Sequence, residues 1–383
     1  MPDSVSATNA PVSFSKGLDG IVAGQSSICF IDGYKGELVY RGINTDELAA
    51  NATFEEVIYL LWHGSLPKKD ELLKLQKELS TNRDLPEQVI TFLKSVPKSS
   101  NPMDVLRTAV SLLGLYDEES SATSTEANWR KSVRLVAKLP TIVANFHRLR
   151  SNGDYLKPEP SLNHSANFLY MINGVEPGTT ASKTLDCALV LHADHEFNAS
   201  TFSARVTAAT LSDIYSAITS AVGTLKGPLH GGANEDVMNM LLDIKTLNNI
   251  EPYLQKFFAQ KKKVPGFGHR VYKVEDPRAK HLRKFSRQLG DTIGNMKWYE
   301  MSEKIEEYVK KEKKLVPNVD FYSASTYYYL GIPVDLFTPI FAVSRVAGWT
   351  AHVMEQYADN RLIRPVSDYV GPHEVHFVPI DKR

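Results

Sequence analysis

Apolar side chains recur at helical spacing along most of this chain, whereas strand-like alternation is limited to short stretches near its two ends. Thr53-Phe54-Glu55-Glu56 has the form of a capping box that begins a helix, and Gly64 is a typical helix terminator. A stripe of apolar residues further along predicts a helix face buried in the core: Val105, Leu106, Ala109, Val110, Leu112 and Leu113. We therefore predict a mainly α protein.

The clearest strand signal is a hairpin near the start of the chain. Residues 27–31 and 37–40 are the two predicted strands, and Asp-Gly-Tyr-Lys-Gly at 32–36 is the turn between them. Residues 364–383 contain prolines and alternate Val, Tyr and Phe with polar residues, so we expect an extended arm of the kind that often packs on a partner subunit. Clusters of Ser, Pro, Gly and charged residues predict surface loops at 96–101, 117–127 and 151–161.

Composition sets outer limits on the function. At 383 residues the chain exceeds the usual size of one hydrophobic core, so two domains are the default expectation. The 44 Lys and Arg residues balance 44 Asp and Glu residues, so no global charge favours nucleic acid or a membrane as partner. Cys29 and Cys187 are the only cysteines, which fits a reducing compartment. Residues 1–16 lack the features of a signal peptide, so we expect a cytoplasmic protein.

One histidine lies among glycines in Gly-Pro-Leu-His-Gly-Gly-Ala-Asn at 227–234, just before a predicted helix at 235–242. The N-terminus of a helix presents free N–H groups and a partial positive charge, which disfavour a protonated imidazole. A neutral His230 could donate a hydrogen bond to a developing oxyanion. A glycine-rich turn with an incidental histidine is the alternative interpretation.

A second motif, Leu-His-Ala-Asp-His-Glu-Phe-Asn at 191–198, predicts His192 and His195 on one helical face with carboxylates beside them. A metal site, a buried polar network and a substrate-binding site all fit this pattern. Known zinc motifs place two histidines four residues apart with a glutamate, and that spacing is absent here. A metal-dependent hydrolase centred on His192, Asp194 and His195 is therefore one rival function, and a non-catalytic helical scaffold is another.

Two further segments carry chemical content. Pro-Gly-Phe-Gly at 265–268 leads into His269 and is expected to expose backbone groups beside a flat ring, a surface suited to a nucleotide base or an anion. Arg270 and Arg278 add guanidinium donors for carboxylates, whereas the preceding lysines at 261–263 fit a solvated helix end.

Asp320 lies between apolar and aromatic residues in Pro-Asn-Val-Asp-Phe-Tyr-Ser-Ala at 317–324. Partial desolvation there would raise the pKa of its carboxyl group and make it a better base. A helix cap explains an aspartate at this position equally well.

Together these segments resemble the citrate synthase family. The motifs at 192–200, 227–234, 265–272 and 317–323 carry the resemblance, which extends from Gly-Leu-Asp-Gly at the start to Arg364-Pro365. It implies an almost entirely helical, two-domain fold of the compact form of the family, with the site in the cleft between the domains. The large domain would comprise 1–229 and 326–383, and the small domain would be inserted at 230–325.

The resemblance also implies a reaction, the condensation of acetyl-CoA with oxaloacetate and water to citrate and CoA. Asp320 would take a proton from the methyl group while His230 hydrogen-bonds the thioester oxygen, and His269 would polarise the ketone of oxaloacetate. Acetyl-CoA is a co-substrate here, and neither a metal nor a redox cofactor is implied.

Binding residues follow from the same resemblance, together with a homodimer as the smallest assembly. Oxaloacetate would be bound by His195, Arg278, Arg345 and the neighbouring subunit's Arg364. The adenine of CoA would contact the loop formed by Val264, Pro265, Gly266, Phe267 and Gly268. Lys311 or Lys314 would contact a CoA phosphate, although both also fit a solvated helix end.

The alternative within the family is 2-methylcitrate synthase, which shares the fold and the catalytic residue types and uses propionyl-CoA. In those enzymes the segment before His-Glu-Phe-Asn more often resembles Leu-Tyr-Ala-Glu, whereas this chain has Leu-His-Ala-Asp at 191–194, so acetyl-CoA is favoured. One methylene discriminates by only ~1–3 kcal/mol, so some propionyl-CoA activity is expected. Val366 departs from the family pattern, because many relatives carry a basic residue at this position.

Overall fold

The computed structural model describes residues 15–383, and that part of the chain forms sixteen α-helices and one small sheet. The helices are α1 Thr45–Asn51, α2 Phe54–His63, α3 Lys69–Thr81, α4 Glu87–Ser95, α5 Pro102–Leu115, α6 Thr125–Arg150, α7 His164–Asn173, α8 Thr179–His192, α9 Ala199–Ala209, α10 Ile214–Leu225, α11 Ala233–Ile244, α12 Ile250–Ala259, α13 Ala279–Thr292, α14 Lys297–Lys313, α15 Val319–Tyr329 and α16 Phe337–Ala358. The prediction of a mainly α protein is confirmed. No helix within 15–383 is both long and apolar enough to cross a membrane.

The predicted hairpin is confirmed and gains a third strand. Strand β1 (Cys29–Asp32) pairs with β2 (Glu37–Tyr40), and β2 pairs with β3 (Ile43–Asn44), all antiparallel. Two residues are too few to show alternation, so β3 could not be predicted from the pattern of apolar and polar residues.

Local signals set the helix ends where they were expected. The Thr53 side chain accepts a hydrogen bond from the Glu56 backbone at 3.3 Å, and the Glu56 carboxylate accepts one from the Thr53 backbone at 2.7 Å, so the capping box is confirmed. Gly64 ends the same helix with φ +84°, a conformation that favours glycine. The loop predicted at 117–127 is shorter than expected, because Ser124 caps α6 and the helix begins at once.

The core is built around α16, which is buried along nearly its whole length and packs against α2, α6, α8, α9 and α10. Gly348 lies in the middle of this helix. A Cβ atom there would lie 2.4 Å from the backbone oxygen of Ala193, so glycine lets α16 approach the turn after α8 closely. The stripe predicted on α5 also faces the core: five of its members are buried, and Leu112 is partly buried.

The chain divides into two compact units, one comprising Met1–Gln25 with Leu362–Arg383 and the other Ser26–Arg361. Within Leu362–Arg383 a short 3-10 turn at Ile380–Lys382 is the only regular element, which agrees with an extended arm. In the larger unit, helices α11 to α15 pack on one another, and the predicted boundary at residue 325 falls inside α15. The division into a large and a small domain stays a prediction.

Candidate active site

The turn after α8 places His195. The prediction that His192 and His195 share a helical face is wrong, because the helix ends at His192. The Asp194 carboxylate accepts a hydrogen bond from the Glu196 backbone at 3.1 Å, and Glu196 has φ +55°, so the chain turns here. Asn198 then caps α9 by accepting from the backbone of the third residue of that helix at 3.2 Å. His195 is thereby held in a turn between two helices.

The rings of His192 and His195 have different neighbours. His192 is fully buried, its Nδ1 lies 2.8 Å from a backbone oxygen of its own helix, and its ring packs 4.9 Å from Phe341. The ring centroid of His195 lies 5.4 Å from that of His269, and its Nε2 has no hydrogen-bond partner within the described chain. Residues 15–383 contain no group of three or more His, Cys, Asp or Glu side chains placed to hold a metal ion.

His230 lies in the glycine turn just before α11, and its hydrogen bonds fix its tautomer. Its Nε2 accepts from the Ser200 backbone N–H at 3.3 Å and lies 2.8 Å from the Ser200 hydroxyl, which Trp349 also contacts at 3.1 Å. Because a backbone N–H can only donate, the proton of the neutral ring is on Nδ1. Burial, with Arg345 nearby, lowers the pKa of His230 to about 4, so the ring is neutral at pH 7.

His269 has the opposite tautomer. Its Nδ1 accepts from the backbone N–H groups of Val271 at 3.0 Å and Tyr272 at 3.1 Å. The proton is therefore on Nε2. Burial lowers the pKa of His269 to about 4, and the Arg278 guanidinium acts in the same direction. Each of the two rings thus has one N–H that its own loop does not use.

Asp320 is the second residue of α15 and does not cap it. Asn318 is the cap, and its side-chain oxygen accepts from the Asp320 backbone at 3.0 Å, so the helix-cap interpretation of Asp320 is wrong. Burial raises the pKa of the Asp320 carboxyl to about 6, although Arg278 and Arg345 oppose this effect. Within residues 15–383, no group donates a hydrogen bond to this carboxylate.

Two buried guanidinium groups lie beside these residues. Asp276 accepts from the Arg278 Nε at 2.9 Å and Nη2 at 2.8 Å, and it also accepts from the Val319 backbone at 3.0 Å. Arg278 is thereby fixed to the start of α15. Arg345 donates from Nε to the His192 carbonyl at 2.6 Å, which orients it from α16. Asp276 was not predicted as a functional residue, although it lies only two residues before Arg278.

The loop at 264–268 is bound to the segment before α15. Gly268 donates its N–H to the Val316 carbonyl at 3.1 Å, and Asn318 donates to the carbonyls of Gly266 at 2.9 Å and Gly268 at 2.8 Å. The Phe267 ring lies 4.6 Å from Phe321. The expectation that this loop exposes its backbone groups is therefore wrong for Gly266 and Gly268, because these groups hold the two segments together. A contact with adenine stays a prediction.

The hairpin turn contacts the loop that follows His269. The Lys273 N–H donates to the Gly33 carbonyl at 2.8 Å. A Cβ atom on Gly33 would lie only 2.4 Å from the Val271 carbonyl oxygen. Since Val271 also donates to His269, the glycine at the hairpin turn contributes to the position of that ring.

Three residues proposed from the resemblance have exposed side chains. Lys311 is in the last turn of α14, and Lys314 is its C-cap with φ +55°; both side chains are exposed at a helix end. Arg364 is exposed and belongs to the other compact unit. Their contacts with CoA or oxaloacetate stay predictions. The lysines at 261–263 follow the end of α12 rather than forming its last turn.

Fold and site together define a class of protein. It is a mainly helical protein in which a carboxyl group of raised pKa and two neutral imidazoles each lie within electrostatic reach of one or both of two buried guanidinium groups. Such a set suits proton transfer at the carbon of a substrate whose partner carries carboxylates.

Comparisons with known proteins give the family. The family model described as "Citrate synthase, C-terminal domain" matches residues 17–366. Citrate synthase 2 of Bacillus subtilis is 54% identical to this chain, and the match covers 96% of this chain and 99% of the relative. For 2-methylcitrate synthase 1 of Corynebacterium glutamicum the identity is 43%, and the match covers 96% of this chain and 98% of the relative. The structure of Thermoplasma acidophilum citrate synthase in ternary complex with carboxymethyl coenzyme A and oxaloacetate aligns with this chain with a TM-score of 0.91 and 34% sequence identity. The alignment covers 97% of this chain and 100% of that chain. The chain belongs to the citrate synthase family.

Proposed function

We propose that this chain is an acyltransferase that condenses acetyl-CoA with oxaloacetate and water to citrate and CoA, the first step of the tricarboxylic acid cycle. Family membership supports this reaction. The observation that carries it is the combination of a carboxyl group of raised pKa with two neutral histidines of opposite tautomer. The reaction needs one base and two separate hydrogen-bond donors, because charge develops on two different oxygens.

Asp320 is the proposed base. The methyl group of a thioester is a weak acid, so proton removal is favoured by a carboxylate of raised pKa that no hydrogen bond from the protein stabilises. As the proton leaves, charge gathers on the thioester oxygen. The Nδ1–H of His230 donates to that oxygen and stabilises the enol or enolate.

His269 is the proposed second donor. Its Nε2–H hydrogen-bonds the ketone oxygen of oxaloacetate, which makes the ketone carbon more electrophilic. When the carbon–carbon bond forms, the oxygen becomes an alkoxide and His269 supplies the proton. Hydrolysis of the resulting citryl-CoA releases CoA and makes the sequence irreversible in practice.

Oxaloacetate carries two negative charges, so its pocket has to supply positive charge in a poorly hydrated place. Arg278 and Arg345 are buried guanidiniums that can bind carboxylates, and His195 presents a buried unpaired Nε2 beside His269. We assign the remaining contact to Arg364 of a second subunit, since the arm that contains it is exposed and extended. The proposal therefore includes a homodimer.

CoA is assigned to the loop at 264–268, with Lys311 or Lys314 as phosphate contacts. The chemistry proposed here uses only side chains and needs no metal or redox cofactor. A cytoplasmic location is part of the proposal, and the presence of only two cysteines fits a reducing compartment.

Acetyl-CoA is expected to be preferred over propionyl-CoA. Release of the free thiol, followed for each thioester with and without oxaloacetate, measures this directly. We expect oxaloacetate-dependent thiol release with both and a higher kcat/KM for acetyl-CoA. A higher kcat/KM for propionyl-CoA would make the chain a 2-methylcitrate synthase. Loss of turnover after exhaustive EDTA treatment would instead favour the metal-dependent hydrolase, and absence of any turnover with an intact CoA pocket would favour the scaffold.

Gly33→Ala is expected to lower kcat/KM for oxaloacetate by ~10-fold or more, since misplacing a catalytic group by about 1 Å can cost ~100-fold. The added methyl group would overlap the Val271 carbonyl and displace the loop that orients His269. Gly178→Ala is the matched control, because a Cβ atom there meets no other atom within 4 Å. Equal kinetics for the two variants would show that the hairpin turn has no part in orienting His269.

A further inference from the structure

Tyr272 lies three residues after His269 in the same loop and is only 3% exposed. Its ring centroid lies 4.7 Å from that of His269 and 5.6 Å from that of His195, with an angle of 77° between the latter two planes. The central guanidinium carbon of Arg278 lies 5.9 Å from the same centroid. The phenol ring is thus packed among three of the side chains to which the proposed function assigns oxaloacetate.

The hydroxyl group of Tyr272 is not explained by this packing. It is buried and makes no hydrogen bond with any group of residues 15–383. Other buried tyrosines of this chain do have partners: the Tyr40 hydroxyl donates to the Asp194 carbonyl at 2.9 Å, and the Tyr329 hydroxyl accepts from the Trp298 N–H at 3.0 Å. A buried hydroxyl without a partner destabilises a fold, so its presence needs a reason.

The guanidinium group beside this hydroxyl favours a negatively charged acceptor as its partner. Burial raises the pKa of the hydroxyl, with the Arg278 guanidinium acting in the opposite direction, so the group keeps its proton at neutral pH and can donate. Arg278 only donates hydrogen bonds. The nearby Asp276 carboxylate already accepts from Arg278 and from the Val319 backbone. A further anionic oxygen would complement both the hydroxyl and the guanidinium.

We propose that the Tyr272 hydroxyl donates a hydrogen bond to oxaloacetate, at the carboxylate that Arg278 binds. This inference rests on the proposed function and adds a binding residue that the sequence motifs did not single out. The hydroxyl gives that carboxylate a neutral donor beside the charged one. A ligand without a carboxylate at this position would leave the hydroxyl buried and unpaired, so Tyr272 also contributes to selection for dicarboxylates.

Tyr272→Phe tests this proposal, because it removes the hydroxyl and keeps the ring. We expect the Kd of oxaloacetate, measured by titration calorimetry on the intact protein, to rise by ~10-fold or more, the usual effect of losing a hydrogen bond to a charged group. The Tm of the unliganded variant should equal or exceed that of the wild type, because an unpaired buried hydroxyl is removed.

Tyr329→Phe is the matched control, since it removes a hydroxyl that the fold uses. We expect a lower Tm and an unchanged Kd for oxaloacetate. An unchanged Kd for Tyr272→Phe, with a wild type that binds oxaloacetate, overturns this inference and leaves the proposed function standing. A wild type that binds no oxaloacetate overturns the proposed function itself, and this inference with it.

Discussion

Asp320→Asn is expected to lower kcat by at least ~100-fold, the usual scale for a general base, while oxaloacetate binding stays nearly intact. The substitution keeps the shape of the side chain and removes its ability to accept a proton. Arg278 and Arg345, which we assign to the carboxylates of oxaloacetate, are held by Asp276 and by the His192 carbonyl and do not depend on Asp320. Steady-state kinetics and calorimetry of oxaloacetate binding separate the two effects.

The same residue predicts a pH dependence. Asp320 has to be ionised to act as a base, so kcat/KM should fall as the pH drops below about 6, the pKa to which burial raises this group.

Asp70→Asn is the matched control for Asp320→Asn, because Asp70 is an exposed carboxylate in the first turn of α3. Near-normal turnover of Asp320→Asn would remove Asp320 from the chemistry.

The thermal stability of Asp320→Asn should rise, although its activity falls. A carboxyl group whose pKa is raised by folding destabilises the folded state at a pH above both its unfolded and its folded pKa. Asp320→Asn is therefore expected to have a higher Tm than the wild type at pH 7. The difference should shrink as the pH falls through about 6 and disappear below the ordinary value of 3.8, where the wild-type carboxyl is protonated in both states.

Mixed dimers of Arg364→Ala and His230→Ala are expected to recover activity that neither homodimer has. One variant lacks a proposed clamp on oxaloacetate and the other lacks the proposed donor to the thioester oxygen, so each should be nearly inactive alone. If Arg364 acts in the cleft of the neighbouring subunit, a mixed dimer has one cleft with both lesions and one that is intact. Random re-association at equal amounts gives about half mixed dimers and roughly one quarter of wild-type activity.

Subunit exchange has to be verified for this experiment, and a pull-down with a tag on one variant does so. A mixture of His230→Ala with Asp320→Asn is the control: the proposal places both residues in the cleft of one chain, so no intact cleft can form. Verified Arg364 and His230 mixed dimers without recovered activity would place Arg364 in the cleft of its own chain.

Much of the fold followed from local sequence signals. The capping box at Thr53, the left-handed terminator at Gly64 and the hairpin at 29–40 each depend on neighbours within a few residues, which a sequence shows directly. His195 was misplaced for a related reason. The spacing of two histidines fits a helix, but the Asp194 side chain binds the backbone ahead of it and competes with the helix, a contact that spacing does not encode.

The chemical identity of the candidate site residues was accessible from motifs, whereas their protonation was not. The tautomer of His230 depends on Ser200, and that of His269 depends on two backbone groups in its own turn. The Ser200 contact joins residues that are 30 positions apart. Only the folded chain brings them together, and periodicity or composition cannot show such a contact.

The hydrogen bonds between the loop at 264–268 and the residues before α15 bring together the two ends of the segment between them. His269 directly follows the loop and Asp320 lies in the first turn of α15, so these hydrogen bonds set the spacing of acid and base. Helices α13 and α14 lie within the segment that the hydrogen bonds enclose. A change in length in the exposed turn at 293–295, between α13 and α14, would therefore leave that spacing intact. An insertion on α14 itself would instead displace the buried face of that helix and the lysines proposed to contact CoA, so the turn is the natural place for insertions in engineered variants.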